Sequence, residues 1–199
     1  TEGTIWKKIV LFALPVFWGS LFQQLYNVVD SLVVGNFLGS EALAAVGSSG
    51  SLIFLLVGLF GGIFIGAGVV VSRFYGARDR ENVSLAVHTT AAFGLAAGVI
   101  LTIVGVLLTP SILRWMGTPE DVLPSSIIYF RIYFGGVLAV VLFNVGSGIL
   151  QAVGDSRHPL LYLIISSVLN VLLDLLFVGV LGMGIGGAAF ATVISQFVS

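Results

Sequence analysis

Asp30 is the residue around which any chemistry in this chain has to be organised. It closes the stretch Gln23-Gln24-Leu25-Tyr26-Asn27-Val28-Val29-Asp30, inside an apolar run from about residue 5 to residue 38. At helical spacing Gln23, Asn27 and Asp30 fall on one side, with Tyr26 one turn before Asp30. Placing a carboxylate at the centre of a membrane helix costs about 3 kcal/mol on insertion scales, so it must face protein or water. A second pair, Asn170 and Asp174, sits four residues apart on one face of a later apolar run, and Thr192 stands in the run after that. Two carboxyls at membrane depth cannot both remain charged and unpaired. They share a proton, bind a cation or find basic partners. The alternative is a neutral, hydrogen-bonded aspartate that only holds helices together.

The composition explains why membrane depth is the right frame. Of 199 residues, 58% are hydrophobic and 9% are charged, with mean hydropathy +1.14. A soluble domain carries roughly 25% charged residues. The chain is therefore read as an all-α integral membrane protein. A net charge of -1 leaves no basic footprint for nucleic acid. There are no cysteines and only two histidines, His88 and His158, which argues against a zinc site. No nucleophile and base stand at a meaningful spacing, so no enzyme is indicated. Lys7-Lys8 before an apolar run looks like the start of a signal peptide. No small-residue cleavage site follows, and the run is read as a first membrane helix that stays.

About six apolar segments are long enough, or nearly so, to cross a bilayer. They run roughly over 5–38, 42–72, 83–109, 124–152 and 159–181, with a sixth from Gly184 that the end of the chain at Ser199 cuts short. Six of the eight basic residues (Lys7, Lys8, Arg73, Arg78, Arg80 and Arg157) fall on one side of this arrangement. The positive-inside rule makes that side cytoplasmic, with the N-terminus inside and Glu41, Glu120 and Asp121 outside. At about 1.5 Å per residue, Asp30, Asp174 and Thr192 then lie roughly 10–12 Å below the outer surface. Tyr26, Asn27 and Asn170 lie about a turn deeper. A cation or proton site in the outer half of the bundle is the simplest resolution.

Other features have plainer readings. Pro15 kinks the first helix, as a static bend or as a hinge; the sequence favours the static one. Gly58, Gly61, Gly62, Gly66 and Gly68 permit close helix packing in the second segment. His88 is read as an interfacial, hydrogen-bonded residue. Arg131, between Tyr129 and Tyr133, snorkels to the headgroups. A faint echo relates Asn27…Asp30…Gly35 to Asn170…Asp174…Gly179, and chance explains it as well as a repeat does.

The stretch 24–39 (QLYNVVDSLVVGNFLG) with 42–47 (ALAAVG), and the later stretches 151–159 (QAVGDSRHP) and 186–196 (GGAAFATVISQ), carry a resemblance to multidrug and toxic compound extrusion (MATE) transporters. The resemblance spans the chain and implies a helical bundle, residues 1–199 forming an N-terminal lobe with the C-terminal lobe absent. It implies a multi-pass protein of the plasma (inner) membrane that exports small organic cations by antiport with protons or sodium ions. No cofactor is implied. The resemblance assigns cation binding to Asp30, Tyr26, Asn170, Asp174 and Thr192, with sodium held at Asp30, Asn170 and Asp174. Pro15 corresponds to the proline of the first helix. The cavity is assigned to Gln23, Asn27 and Asn144, with Ser147 as the alternative to Asn144 on the fourth segment. Rival readings are a lipid-linked or polysaccharide flippase of the wider superfamily, and a non-transporting membrane assembly protein.

Overall fold

The computed structural model describes residues 5–199, apart from the side chains of residues 5, 8, 41, 48–57, 59 and 60. The expectations placed on Lys8 and Glu41 therefore lie outside the described residues. The described chain is helical, with no strand among these residues: α1 (Ile5–Gly76), α2 (Arg80–Trp115), α3 (Leu123–Gly135), α4 (Val137–Ala152), α5 (Arg157–Asp174) and α6 (Gly184–Val198). By length and composition, Ile9–Ser40, Arg80–Trp115 and Arg157–Val180 can each cross a membrane, and α3 with α4 can do so as a bent pair. Gly61–Gly76 and Gly184–Val198 are shorter apolar helices.

The loop expected near residues 39–41 is replaced by one residue. Gly39 has φ 84° and ψ -174° and is the only break in helical dihedrals along α1. That backbone region is essentially closed to residues with a Cβ. The chain reverses there. Val33 and Val34 before the break share a core with Ala42 and Ala45 after it. Leu43 closes to within 3.4 Å of where a Gly35 Cβ would stand. The helix passes through Pro15 with helical dihedrals.

Three further boundaries differ from the pattern reading. Helix α2 continues through Pro110 to Trp115, beyond the end of the apolar segment near residue 109. Its 36 residues reach about 54 Å, more than a ~30 Å hydrocarbon core needs. The fourth segment is not one helix: α3 and α4 meet at Gly136 with a bend of 47°. A Cβ on Gly136 would lie 2.4 Å from both γ-methyls of Val193, so the bend is where α6 enters. The fifth segment passes from α5 into a single π turn, Leu175–Val180, directly after Asp174.

The glycines that pack helices closely are also not the expected ones. Gly58, Gly61, Gly62 and Gly66 have no atom within 4 Å of an added Cβ, and only Gly68 approaches a neighbour, at Gly148 O. The tight contacts belong to α2, where Gly94, Gly98 and Gly105 meet Val145, Leu138 and Phe134 at 2.5, 2.5 and 2.1 Å. These glycines let α2 lie directly against the bent pair, as small residues do between membrane helices.

Candidate functional site

Three helices bring polar groups to one place. From α1 come Tyr26 and Asp30, from α5 Asn170 and Asp174, and from α6 Thr192. Asn170 and Asp174 are fully buried, and Asp30 and Thr192 nearly so. The carboxyl groups of Asp30 and Asp174 lie side by side, close enough to share a hydrogen bond once one of them carries a proton. The Asn170 amide, assigned in the orientation that satisfies both its ends, donates to Asp174 Oδ2 at 2.9 Å and accepts from the Thr192 backbone N–H at 3.2 Å. The Thr192 hydroxyl donates to Ala188 C=O at 3.1 Å, and the Tyr26 side chain faces Thr192 and Asp30. Apart from the carboxyl contact, Asp30 Oδ1 and Asp174 Oδ1 are buried and receive no hydrogen bond from another described group.

Such a pair has an unfilled requirement. Two touching carboxylates repel, and an unpaired buried charge is strongly unfavourable. One proton between them, or one cation on the two free oxygens, removes both problems. All-oxygen ligation from carboxylates, an amide and a hydroxyl suits a hard cation. No cluster of three His, Cys, Asp or Glu side chains stands among the described residues, and a monovalent ion does not need one.

A cavity of about 760 Å³ adjoins the pair. Asp30, Tyr26 and Thr192 line it, whereas Asp174 and Asn170 lie behind that wall. Gln23, Asn27, Asn144, Ser147 and Pro15 all line it as well. Asn144 and Ser147, offered as alternatives, therefore both face it. Asn144 donates to Val140 C=O of its own helix at 2.7 Å, and Asn27 to Gln24 Oε1 at 3.2 Å. Asp30 is the only charged side chain among the described lining residues.

Two lining residues were not singled out from sequence. Tyr129 and Tyr133 face the cavity with rings stacked at 6.4 Å and 13°. Arg131, between them, is exposed. At about 100° per residue Arg131 lies about 160–200° round from both tyrosines. Their i, i+4 spacing was the available signal; the arginine drew the reading toward the headgroups instead. His88 is exposed and its Nδ1 lies 2.7 Å from Ser84 C=O of its own helix.

Beyond the spans, Asp155 organises the α4–α5 turn that ends the cavity near Gln151 and Ser156. Its Oδ1 accepts from the backbone N–H groups of Arg157 and His158 at 3.1 and 3.2 Å, and its Oδ2 meets His158 Nδ1. The backbone bond from His158, then its side chain, holds this carboxyl below the usual carboxylate range.

A family model described as MatE matches residues 15–176. The probable multidrug resistance protein YoeA of Bacillus subtilis is 38% identical over 199 residues, covering 98% of this chain and 43% of its own length. A crystal structure of MATE in the bent conformation superposes with a TM-score of 0.92 at 35% identity, over 98% of this chain and 44% of that one. A structure of MATE in the straight conformation gives 0.87 at 36% identity, over 96% and 42%. The chain thus spans less than half the length of the relatives it matches, and with the model covering most of its residues it belongs to the multidrug and toxic compound extrusion family of multi-pass membrane proteins.

Proposed function

We propose that this chain is the N-terminal lobe of an exporter of small organic cations, driven by protons or sodium ions moving the other way. The observation that carries the reading is the position of Asp30. It belongs at once to the cavity wall and to the buried pair with Asp174. A proton or sodium ion in the pair satisfies Asp30 from behind; a cationic substrate satisfies it from the cavity. One carboxylate does not serve both fully, so each occupant weakens the other. A coupling of about 1–3 kcal/mol, typical of linked sites, is enough to make exchange favourable over joint occupancy.

The cavity supports the substrate class. Its polar lining is amide, hydroxyl and phenol, with one acidic group. Tyr129 and Tyr133 offer aromatic faces to a cation, worth about 0.5–2 kcal/mol when desolvated. A flippase for phosphate-bearing lipids calls for basic groups in the cavity, and among the described lining residues there are none. In this reading the N-terminus is cytoplasmic, the protein sits in the plasma (inner) membrane, and export proceeds by alternating access with a second lobe.

The test is substitution in the full-length transporter. Asp30→Asn and Asp174→Asn should each abolish uphill export of an organic cation such as ethidium while the protein still folds and inserts. A folded Asp30→Asn variant that exports at the wild-type rate against a gradient would refute the proposal. Protection by sodium or by low pH should disappear in both variants; an assembly protein would show none to begin with.

A further inference from the structure

Asp174 is the last α-helical residue before the π turn Leu175–Val180. The turn closes more widely than an α-helix: Leu181 N–H donates to Leu176 C=O, five residues back, at 2.8 Å. Winding decides which residues share a face. In an α-helix, at about 100° per residue, Gly179 would lie about 140° round from Asp174. A turn closed five residues back winds at about 4.4 residues per turn and brings Gly179 to about 50° from Asp174, on the same side of the helix.

That face is the one α1 occupies. Asp30, Val33, Val34 and Phe37 form a stripe on α1 at the i, i+3, i+4, i+7 spacing of one helix side. Asp174 lies beside Asp30, and Val178 is buried in one core with Val33 and Val34. Phe37 reaches the backbone of Gly179, where an added Cβ would stand 3.4 Å from two ring carbons. Asp174, Val178 and Gly179 cannot all meet that stripe from a regular α-helix. From the other side, α6 rests on the turn: a Cβ on Gly187 would lie 3.1 Å from Phe177 Cβ.

We propose that the π turn, latched by Phe37 on Gly179, is a positioning device that fixes the angular register of Asp174 and holds its carboxyl against Asp30. Its functional meaning rests on the reading of the pair as the coupling-ion site; its geometry does not. Gly179 and Phe37 are positioning residues, acting through Asp174.

The chain contains no cysteine, so engineered cysteine pairs report the register directly in a full-length transporter made cysteine-free throughout. Asp30→Cys with Asp174→Cys should cross-link rapidly under copper phenanthroline. Deleting Leu176 should slow that cross-link at least tenfold. Adding an alanine after Leu181 to the deletion restores length but not register, and should not restore the rate. Cross-linking that survives the deletion, or that recovers with the added alanine, would overturn the proposal. Should the deletion protein fail to fold, the intact register decides: Phe37→Cys must cross-link with Gly179→Cys and not with Val180→Cys, and the opposite pattern overturns it. Export separates the two layers. Gly179→Val should shift the pH of half-maximal export, and adding Phe37→Ala should return it toward wild type. If deletion of Leu176 breaks the cross-link yet, with both aspartates native, leaves export with its wild-type dependence on pH and sodium, the register is real but positions no ion site, and the proposal falls.

Discussion

Gly136→Ala should disturb the buried carboxyl pair from a distance, and the structure sets the scale. The new methyl would lie 2.4 Å from both γ-methyls of Val193. Carbon atoms settle at about 3.5–4.0 Å, so α6 or the bent pair must give by roughly 1 Å. Thr192 is the next residue on α6, and its N–H reaches Asn170 at 3.2 Å. A shift of that size carries the bond past the useful range of about 3.2 Å. Overpacking costs about 1–3 kcal/mol, and the weakened buried hydrogen bond adds about 1 kcal/mol. Reduced freedom of the unfolded chain returns about 0.4–1 kcal/mol. The net expectation is a loss of about 1–3 kcal/mol.

Equilibrium unfolding of the intact transporter in detergent measures this, with Val193→Ala as the partner change. Shortening Val193 removes the atoms that the new methyl strikes. The double variant should therefore be more stable than the sum of the single changes implies, with a coupling of at least about 1 kcal/mol. A Gly136→Ala protein as stable as wild type, or a coupling inside the additive error of about 0.5 kcal/mol, would show that the bend is not where α6 is seated.

Three other outcomes are expected. Cysteines placed at Ser40 and Thr118 should react with impermeant reagents from outside and one at Glu81 should not; the reverse pattern overturns the proposed orientation. Asp79 accepts from the side chain and backbone of Asn82 at 2.7 and 3.1 Å, side chain first in effect, and its carboxyl is held below the usual range. Its capping contribution is thus present above the unfolded value of about 3.9 and lost as pH falls through the lower folded value; hydrogen exchange at the first turn of α2 should accelerate there, and an Asp79→Asn protein that accelerates equally would remove the carboxyl from the account. Spin labels on either side of Pro15 should change their separation with pH, with sodium and with Asp30→Asn; identical distance distributions in all conditions leave Pro15 a rigid kink.

What was legible in the sequence was what single residues reveal. A carboxylate in an apolar run is conspicuous whatever surrounds it, so Asp30 and Asp174 stood out, and helical rise alone put them at one depth. Gly184 marked the start of α6 because glycine, at φ 64°, supplies the conformation that begins it. What was not legible depends on partners distant in the chain. The bend at Gly136 exists opposite Val193, and nothing local to Gly135-Gly136 says so. The close-packing glycines were sought on the second segment, where glycine is densest, but proximity is decided by the helix opposite. The π turn has no composition signal in Leu175–Val180; it follows from the need to meet three positions of α1 at once. Tyr129 and Tyr133 were noted only as neighbours of Arg131, and the cavity they line is formed by helices distant in the chain.

The departures from regular helix geometry are not scattered. Gly39 reverses α1 nine residues after Asp30, the π turn begins one residue after Asp174, and Val193, seated in the Gly136 bend, follows Thr192 directly. Each helix that contributes to the pair is thus fixed near its contributing residue by an irregular feature. Regular helices slide and rotate against one another at small cost because their surfaces repeat. A break, a bend filled by a side chain and a turn of different winding do not repeat, so each defines one register. The buried carboxyl pair needs that definition, since a displacement of about 1 Å separates a hydrogen-bonded pair from two unsatisfied groups. The far end of α1, from Trp6 to Phe22, is by contrast largely exposed along its length. The pair sits where the packing is irregular and close, whereas the turns of α1 around Pro15 carry the most exposed side chains near the cavity wall. In the proposed reading, a helix seated at Asp30 and more exposed around Pro15 passes a change at the carboxyl to the cavity while the register of the pair stays the same.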